Sequence, residues 1–206
     1  FTSCKRLFAF DLDDTVENFM DFAHTPVVHP GLIRGISSAI ERGVTIEVSD
    51  DSVRAVHDPV NEKVGMFSGL IKPRGKLVQH SDTFSLPGNV KVEYWFGNDP
   101  PKFFAFLGMT PVAANSTRVL LTIGVQFGWL NPLIRSALPI LIRRVLAQDQ
   151  KIMAQQRTNL DLMTVRALKS LQSDAIDSTV RALSAHMRDP SRPRPKPGAK
   201  RISVLL

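Results

Sequence analysis

Two of the five histidines in the chain, His24 and His29, lie five positions apart. Asp21 lies about one helical turn before His24, and Asn18 lies one turn earlier on the same predicted helix face. Two imidazoles and one carboxylate can hold an iron(II) ion on one side and leave adjacent coordination positions open for dioxygen beside a substrate. The second nitrogen of a ligating imidazole needs an acceptor, a role that suits Asp21. The segment therefore predicts two ligands of a mononuclear iron site.

The spacing of the two histidines requires a break in the helix that carries the first. On an unbroken helix, residues five positions apart point in different directions. Apolar residues at helical spacing predict a helix over residues 15–24, and Pro26 and Pro30 predict its end. We expect residues 27–29 to form a turn that returns His29 to the metal bound by His24.

The pattern Asn-x-x-Asp-x-x-His-x4-His, formed by Asn18, Asp21, His24 and His29, resembles the mononuclear-iron motif of Rieske-type ring-hydroxylating and related oxygenases. The resemblance extends over about residues 14–162. It implies that Asp21 links the iron site to a Rieske cluster in a neighbouring subunit of a trimer, in addition to orienting His24. Asn18 belongs to the same functional motif.

In this family the third iron ligand is an aspartate on a long C-terminal helix, and residues 145–156 are similar to that segment. The resemblance implies Asp149 as the third ligand, with Asp161 as the alternative. It also implies a terminal oxygenase domain that activates dioxygen to hydroxylate or demethylate an apolar aromatic or polycyclic substrate. Electrons would come from NAD(P)H through a reductase, with or without a ferredoxin, and a Rieske [2Fe-2S] centre.

The distribution of apolar and turn-forming residues predicts an α+β fold. Short β-rich runs separated by Pro, Gly and Asn clusters predict an antiparallel sheet. The expected strands are residues 44–49, 63–71, 76–84, 90–96, 102–111 and 117–127, after a short helix over 32–43. A helical region follows from 129 to about 186, interrupted near Pro132 and Pro139. The family resemblance implies the same architecture, a curved antiparallel sheet that grips a long C-terminal helix.

Cysteine content separates this chain from a complete Rieske oxygenase. A Rieske cluster needs two cysteines and two histidines, and the chain has one cysteine, Cys4. We therefore expect either the C-terminal part of a longer protein, in line with a first residue other than Met, or a subunit that receives electrons from a cluster on another polypeptide. A homotrimer or hetero-oligomer is expected in both cases. The single cysteine also fits a reducing cytoplasm.

The net charge of +7 is concentrated at the C-terminal end. Residues 188–206 combine basic side chains with interleaved prolines, which favour an extended, solvated segment. We predict a catalytic domain over residues 1–187 and a disordered basic tail over 188–206. Deletion of residues 189–206 is expected to leave folding and metal binding intact. No nucleic-acid partner is expected. Arginines within residues 129–147 argue against a membrane span.

Two other functions remain open from the sequence. Asp11-Leu-Asp13-Asp14-Thr15 follows an apolar run and resembles the nucleophile loop of haloacid-dehalogenase-like phosphatases, where Asp11 and Asp13 would act beside Mg²⁺. That fold requires parallel strands. A metal-free helix-grip protein that binds an apolar ligand would share the predicted fold. The remaining histidines lack metal-like spacing and are expected to be surface or hydrogen-bonded residues: His57, His80 and His186.

Overall fold

The structure, a computed structural model, describes residues 1–30, 32, 41–61, 77–97, 100–162 and 174–205. Within these residues, eight strands form one antiparallel sheet, and the helices pack on one of its faces. The expected α+β class, with a sheet against a long helix, is confirmed.

The strands follow one another in the sheet in nearly reversed chain order. Their spatial order is β1-β7-β6-β5-β4-β3-β2-β8, so the first and last strands form the two edges. The bounds are β1 Thr2–Phe8, β2 Glu41–Val48, β3 Ser52–His57, β4 Val78–Ser85, β5 Asn89–Phe96, β6 Phe103–Ala113, β7 Ser116–Val125 and β8 Gly198–Leu205.

Alternation of apolar and polar residues explains the strands. In β7, for example, Val119, Leu121 and Ile123 are buried, whereas the residues between them face outward. Five predicted strands are confirmed as β2 and β4 to β7. The expected strand at 63–71 and most of the expected helix at 32–43 lie outside the described residues, but residues 41–43 belong to β2 rather than to a helix. β1 and β3 were not predicted as strands.

The N-terminal helices differ from the expected single helix over 15–24. Helix α1 spans Leu12–Met20, and the carboxylate of Asp11 caps it by accepting a hydrogen bond from the Asp14 backbone N–H at 2.8 Å. A separate one-turn helix, α2, spans Thr25–Val28. Pro26 lies in the first turn of α2, where a backbone N–H would have no partner within the helix, so its absence loses no hydrogen bond. This proline therefore follows α1 and also helps to begin α2.

After a 3-10 turn at Gly128–Leu130, helix α3 runs without a break over Asn131–Leu162, and helix α4 spans Ala175–Arg188. The expected interruptions near Pro132 and Pro139 are therefore wrong. Pro132 occupies the first turn, where a proline is well tolerated. Pro139 lies inside the helix, and burial of Leu138 and Ile142 beside it stabilises the helical path. Among the described helices, none has an apolar stretch sufficient to cross a membrane.

The expected disordered tail at 188–206 is wrong for much of its length. β8 pairs with β2 over eight residue pairs, and its Ile202 and Val204 are buried in the core. Arg194 and Arg201 form ion pairs with Asp50 and Asp58. Short apolar alternation and available acidic partners thus outweigh the charge and proline content that predicted disorder.

Candidate metal centre

The two N-terminal histidines flank the single turn of α2. His24 is the N-cap residue and His29 the C-cap residue, and the backbone N–H of His29 donates to the carbonyl of Thr25 at 3.1 Å. This turn brings the two ring centres to 5.4 Å from each other. The two rings approach each other as expected, but Pro26 does not end a helix that carries His24: α1 ends at Met20, and Pro26 lies in the first turn of α2.

Asp149 comes from the opposite direction, on the core-facing stripe of α3. Its neighbours on that stripe are Ile142, Leu146 and Met153, and only 1% of Asp149 is exposed. A carboxylate buried among apolar side chains is costly unless a cation or hydrogen-bond donors compensate it. The interruption of an apolar helical stripe by one acid is a sequence signal for this position, independent of family resemblance.

The three side chains meet beneath the sheet. Asp149 Oδ1 lies 2.9 Å from His29 Nε2 and 3.6 Å from His24 Nε2. One potential ligand atom from each residue lies within 4.8 Å of the others. Two atoms that share an ion through bonds of about 2 Å can lie at most about 4 Å apart, so the cluster is close to the spacing of a metal site.

The polar environment of Asp149 Oδ1 fits a cation. This buried oxygen has no properly aligned hydrogen bond among the described residues, although imidazole nitrogens lie close to it. Imidazole nitrogens and a carboxylate oxygen are suitable ligands for iron(II). His24, His29 and Asp149 could therefore hold this metal.

Gln148 fixes the orientation of His29. Its Oε1 can only accept, so the His29 Nδ1–H donates to it at 3.0 Å, which leaves Nε2 with a lone pair on the Asp149 side. This role of Gln148 was not predicted from the sequence. Gln148 directly precedes Asp149 in the sequence, and this adjacency is a weak signal of its role, because many glutamines on protein surfaces also lie next to an acid.

Asp21 and Asn18 lie beside the cluster rather than in it. Asp21 caps the end of α1, and its Oδ1 accepts a hydrogen bond from the Ala23 backbone N–H at 2.8 Å. Its Oδ2 is 3.7 Å from His24 Nδ1, which is an electrostatic contact longer than a hydrogen bond. Asn18 and Asp21 line a groove next to His24. The Asp21 side chain is 44% exposed, so another molecule can reach it.

Attraction between the histidines and the nearby carboxylates shifts the pKa values of His24 and Asp149. Burial lowers the pKa of His24, but its close contact with Asp149 and the negative charges of Asp21 and Asp149 raise it above its usual value overall. Burial raises the pKa of Asp149, yet His24 and His29 outweigh this effect and lower it. Asp149 therefore stays ionised and available to a cation.

The cluster opens onto an apolar cavity of about 160 Å³. Its walls come from α1, α3 and the inner face of the sheet, and the triad His24, His29 and Asp149 forms part of its lining. The apolar lining residues include Phe19, Val92, Phe103, Leu107, Leu121, Ile123, Leu141 and Val145. A small apolar molecule could bind there next to a metal ion.

The alternative sites are not assembled by this fold. Asp161 is exposed near the end of α3, away from the buried triad. Asp11 caps α1, and Asp13 forms a two-bond ion pair with Arg188 at 2.9 and 2.7 Å. The described sheet is antiparallel throughout, unlike the parallel sheet required by the phosphatase hypothesis.

The remaining histidines are hydrogen-bonded, as expected, but two of them are buried rather than on the surface. His57 and His80 both contact Asp82, and His186 Nδ1 lies 2.8 Å from the carbonyl of Arg192.

Comparisons with known proteins agree with this geometry. The family model described as vanillate O-demethylase oxygenase C-terminal domain matches residues 12–189. A search of curated protein sequences found no match.

Several solved structures share the fold. Dicamba monooxygenase bound to 3,6-dichlorosalicylic acid is 14% identical with a TM-score of 0.73, over 92% of this chain and 59% of that chain. NdmB from Pseudomonas putida CBB5 is 16% identical with a TM-score of 0.60, over 91% and 52% of the two chains. The quaternary ammonium Rieske monooxygenase CntA is 12% identical with a TM-score of 0.58, over 93% and 49%.

The present chain thus spans about half to three fifths of these proteins. At such low identities the structural likeness establishes the fold, while the family match covers most of the sequence. Because this match covers residues 12–189 of the 206-residue chain, the chain belongs to the family of vanillate O-demethylase oxygenase C-terminal domains, the catalytic part of Rieske-type oxygenases.

Proposed function

We propose that this chain is the catalytic domain of a terminal oxygenase that uses one Fe(II) ion to hydroxylate or demethylate a small apolar ring compound. The observation that carries the proposal is the convergence of His24 Nε2, His29 Nε2 and Asp149 Oδ1 beside an apolar cavity. When bound by this triad, Fe(II) supplies the activation of dioxygen next to the substrate.

The protein's own residues hold the ligands and exclude water. Gln148 holds the His29 tautomer in which Nε2 faces the metal position. The mainly apolar walls offer water few hydrogen-bond partners near the triad, which disfavours bound water beside reactive species.

We propose that electrons reach this domain from NAD(P)H through a reductase, with or without a ferredoxin, and a Rieske [2Fe-2S] centre outside this chain. Asp21 is suited to receive that centre because it is partly exposed and also contacts His24. A fold relative is described in connection with inter-subunit electron transfer. We extend this arrangement to a trimer or hetero-oligomer of the present chain in the cytoplasm.

The family resemblance implies an aromatic or polycyclic substrate, and the cavity volume restricts the size of that substrate. An apolar cavity of about 150 Å³ can hold benzene, and the cavity here measures about 160 Å³. We therefore propose a substrate with one ring. Vanillate in the family description and dicamba in a solved complex are names attached to relatives of this chain, and they motivate single-ring test compounds.

Metal analysis after anaerobic reconstitution tests the proposal. We expect about one Fe(II) per chain in the parent, and strong loss of iron in His24→Ala because one of three protein ligands is removed. His186→Ala is the matched control, since His186 lies outside the triad and contacts the carbonyl of Arg192. Equal iron content in the parent and in His24→Ala contradicts the ligand assignment.

Product analysis on the same samples tests the reaction. Hydrogen peroxide can replace dioxygen plus two electrons and two protons: an aryl methyl ether and peroxide give the phenol, formaldehyde and water. With 4-methoxybenzyl alcohol as the probe, we expect formaldehyde or a ring-hydroxylated product from the iron-loaded parent but not from His24→Ala. Equal product formation by both proteins contradicts the proposed function.

A further inference from the structure

A second group of polar side chains lies on the inner face of the sheet, separate from the triad. His57 on β3 and His80 and Asp82 on β4 are all buried. Asp82 Oδ2 lies 3.0 Å from His57 Nε2 and 3.3 Å from His80 Nε2. The pairing of Val56 with Ser81 in the two strands brings these side chains together.

This group could in principle hold a metal, but the ring geometry argues against it. The rings of His57 and His80 are stacked, with centres 3.7 Å apart and planes only 13° from parallel. An ion about 2.1 Å from an imidazole nitrogen lies close to the plane of that ring. Because the two planes are nearly parallel and separated, one ion cannot lie in both.

Asp82 is instead a charged acceptor. Burial raises its pKa, but the charge of His80 and the hydrogen bonds from His57 and His80 outweigh that effect and hold the pKa well below its usual range. Both of these contacts reach Oδ2. The other carboxylate oxygen, Oδ1, belongs to a side chain that lines the cavity.

The position of Asp82 connects this acceptor with the catalytic cavity. His80, Asp82 and Tyr94 line the same cavity as His24 and Asp149. Phe22, two residues before His24, packs its ring against His57 with ring centres 4.4 Å apart. The cavity therefore has a polar wall at β4 in addition to the polar groups of the triad and its flanks.

We infer that Asp82 binds a hydroxyl or N–H group of the substrate through Oδ1, while His57 and His80 fix its carboxylate. This assignment rests on the proposed function and adds a substrate class to it: a single-ring compound that carries a hydrogen-bond donor, neutral or cationic. An anionic carboxylate at the same position is disfavoured, because it would face the negative charge of Asp82 in a largely apolar environment.

The test is calorimetric titration of the anaerobically iron-loaded chain with four single-ring probes of similar size: benzyl alcohol, benzylamine, benzyl methyl ether and benzoate. We expect the two donor-bearing probes to bind at least about tenfold tighter than the ether, since a charge-assisted hydrogen bond is strong in an apolar cavity. Benzoate should bind weakest. Equal affinity for benzyl alcohol and benzyl methyl ether overturns the inference.

Asp82→Asn removes the charge with little change in shape and should abolish the preference for benzylamine. Thr83→Val is the matched control on the neighbouring, less buried position of β4 and should keep it. The comparison among probes in the parent needs no variant, so it stands even if Asp82→Asn does not fold. An unchanged preference in a folded Asp82→Asn protein overturns the inference.

Metal content separates the remaining outcomes. Zinc bound by the Asp149→Asn variant and lost on further substitution of Asp82 would identify a second metal site and overturn the binding role. Iron retained without any preference among probes overturns this inference alone. A preference for donor-bearing probes without stoichiometric iron supports the role of Asp82 and contradicts the proposed oxygenase function.

Discussion

Asp149 shows why the candidate centre depends on residues that do not bind metal themselves. A carboxylate on the buried face of α3 needs compensation, and a cation shared with His24 and His29 would supply it only if both rings present a lone pair to that cation. Gln148 controls one of these orientations through the Nδ1–H of His29. A glutamine that does not contact the metal can therefore determine how well the site binds it.

Replacement of Gln148 by Leu should weaken Fe(II) binding about 10- to 100-fold, the usual effect of losing a hydrogen bond to a ligating imidazole. The physical reason is that His29 loses the acceptor that fixes its tautomer and ring orientation. Competition with a chelator under anaerobic conditions measures the affinity. Gln155→Leu, at an exposed position of the same helix, is the control and should bind iron like the parent. Equal affinities of the two variants contradict the role of Gln148.

The part of the candidate site that was predictable from the sequence is the part whose residues lie close together in the chain. His24, Pro26 and His29 lie close together in the chain, so one turn decides whether the rings can meet. Asp149 was predicted from the family resemblance, since about 120 residues separate it from His29 and only its position on an apolar helix face marks it locally. The contacts of His57 with Asp82 depend on the register between β3 and β4, and no local pattern in the sequence specifies that register.

At the scale of elements, charged side chains join α1 to α4. Arg181 of α4 binds Asp14 of α1 at 3.0 Å, contacts Glu17 of α1, and binds Asp177 within its own helix at 3.0 Å. Three acids thus share one guanidinium in a partly buried position. Burial and the charge of Glu17 raise the pKa of Asp177 to about 6, against the opposing effect of Arg181.

This shift predicts a pH-dependent effect of Asp177→Asn. Asp177 has a higher pKa in the folded state than its ordinary 3.8, so the folded protein loses stability as pH rises from about 4 to about 6 and keeps that penalty above it. The difference of about 2 pKa units corresponds to at most about 3 kcal/mol. We therefore expect the substitution to raise the melting temperature by several degrees at pH 8, with a much smaller gain at pH 4.5.

Thermal unfolding followed by circular dichroism at both pH values measures this effect. Asp50→Asn is the control, because Asp50 forms an exposed pair with Arg194, and such pairs contribute little to stability. A lower melting temperature of Asp177→Asn at pH 8 would show that the ion pair with Arg181 outweighs the cost of the buried charge.

Helices and strands were easier to predict from the sequence when their pattern of apolar residues extended over more positions. The long apolar periodicity of α3 and the alternation in β4 to β7 each extend over many residues. β3 has six residues, and its Val53, Ala55 and His57 alternate as a strand should, but the segment is short and lies between turn-forming residues. β8 was missed because the charges and prolines before it dominate the composition of residues 188–206.

The whole molecule depends on both ends of the chain, since β1 and β8 form the two edges of the sheet. β8 covers β2 along its full length, from the pair Val48–Gly198 to the pair Glu41–Leu205. Its buried side chains complete the core beneath that end of the sheet, whereas the candidate triad His24, His29 and Asp149 lies on α2 and α3. Stability and metal binding should therefore respond differently to loss of this strand.

Truncation after Pro197 should lower stability substantially and leave the ligand set in place. Ile202 and Val204, 3% and 7% exposed, each lose about 1.5 to 3 kcal/mol of burial, and β2 loses a hydrogen-bonded neighbour. We expect the melting temperature to fall by roughly 10 °C or more, at 2 to 4 °C per kcal/mol for a chain of this size.

The control is Lys200→Ala, which changes an exposed side chain of β8 and should have almost no effect on the melting temperature. Iron content measured well below the lowered melting temperature should match that of the full chain, because His24, His29 and Asp149 are held by α2 and α3, whereas β8 pairs with β2. An unchanged melting temperature of the truncated protein would mean that β8 adds nothing to the core, and loss of iron at full stability would mean that this edge supports the metal centre.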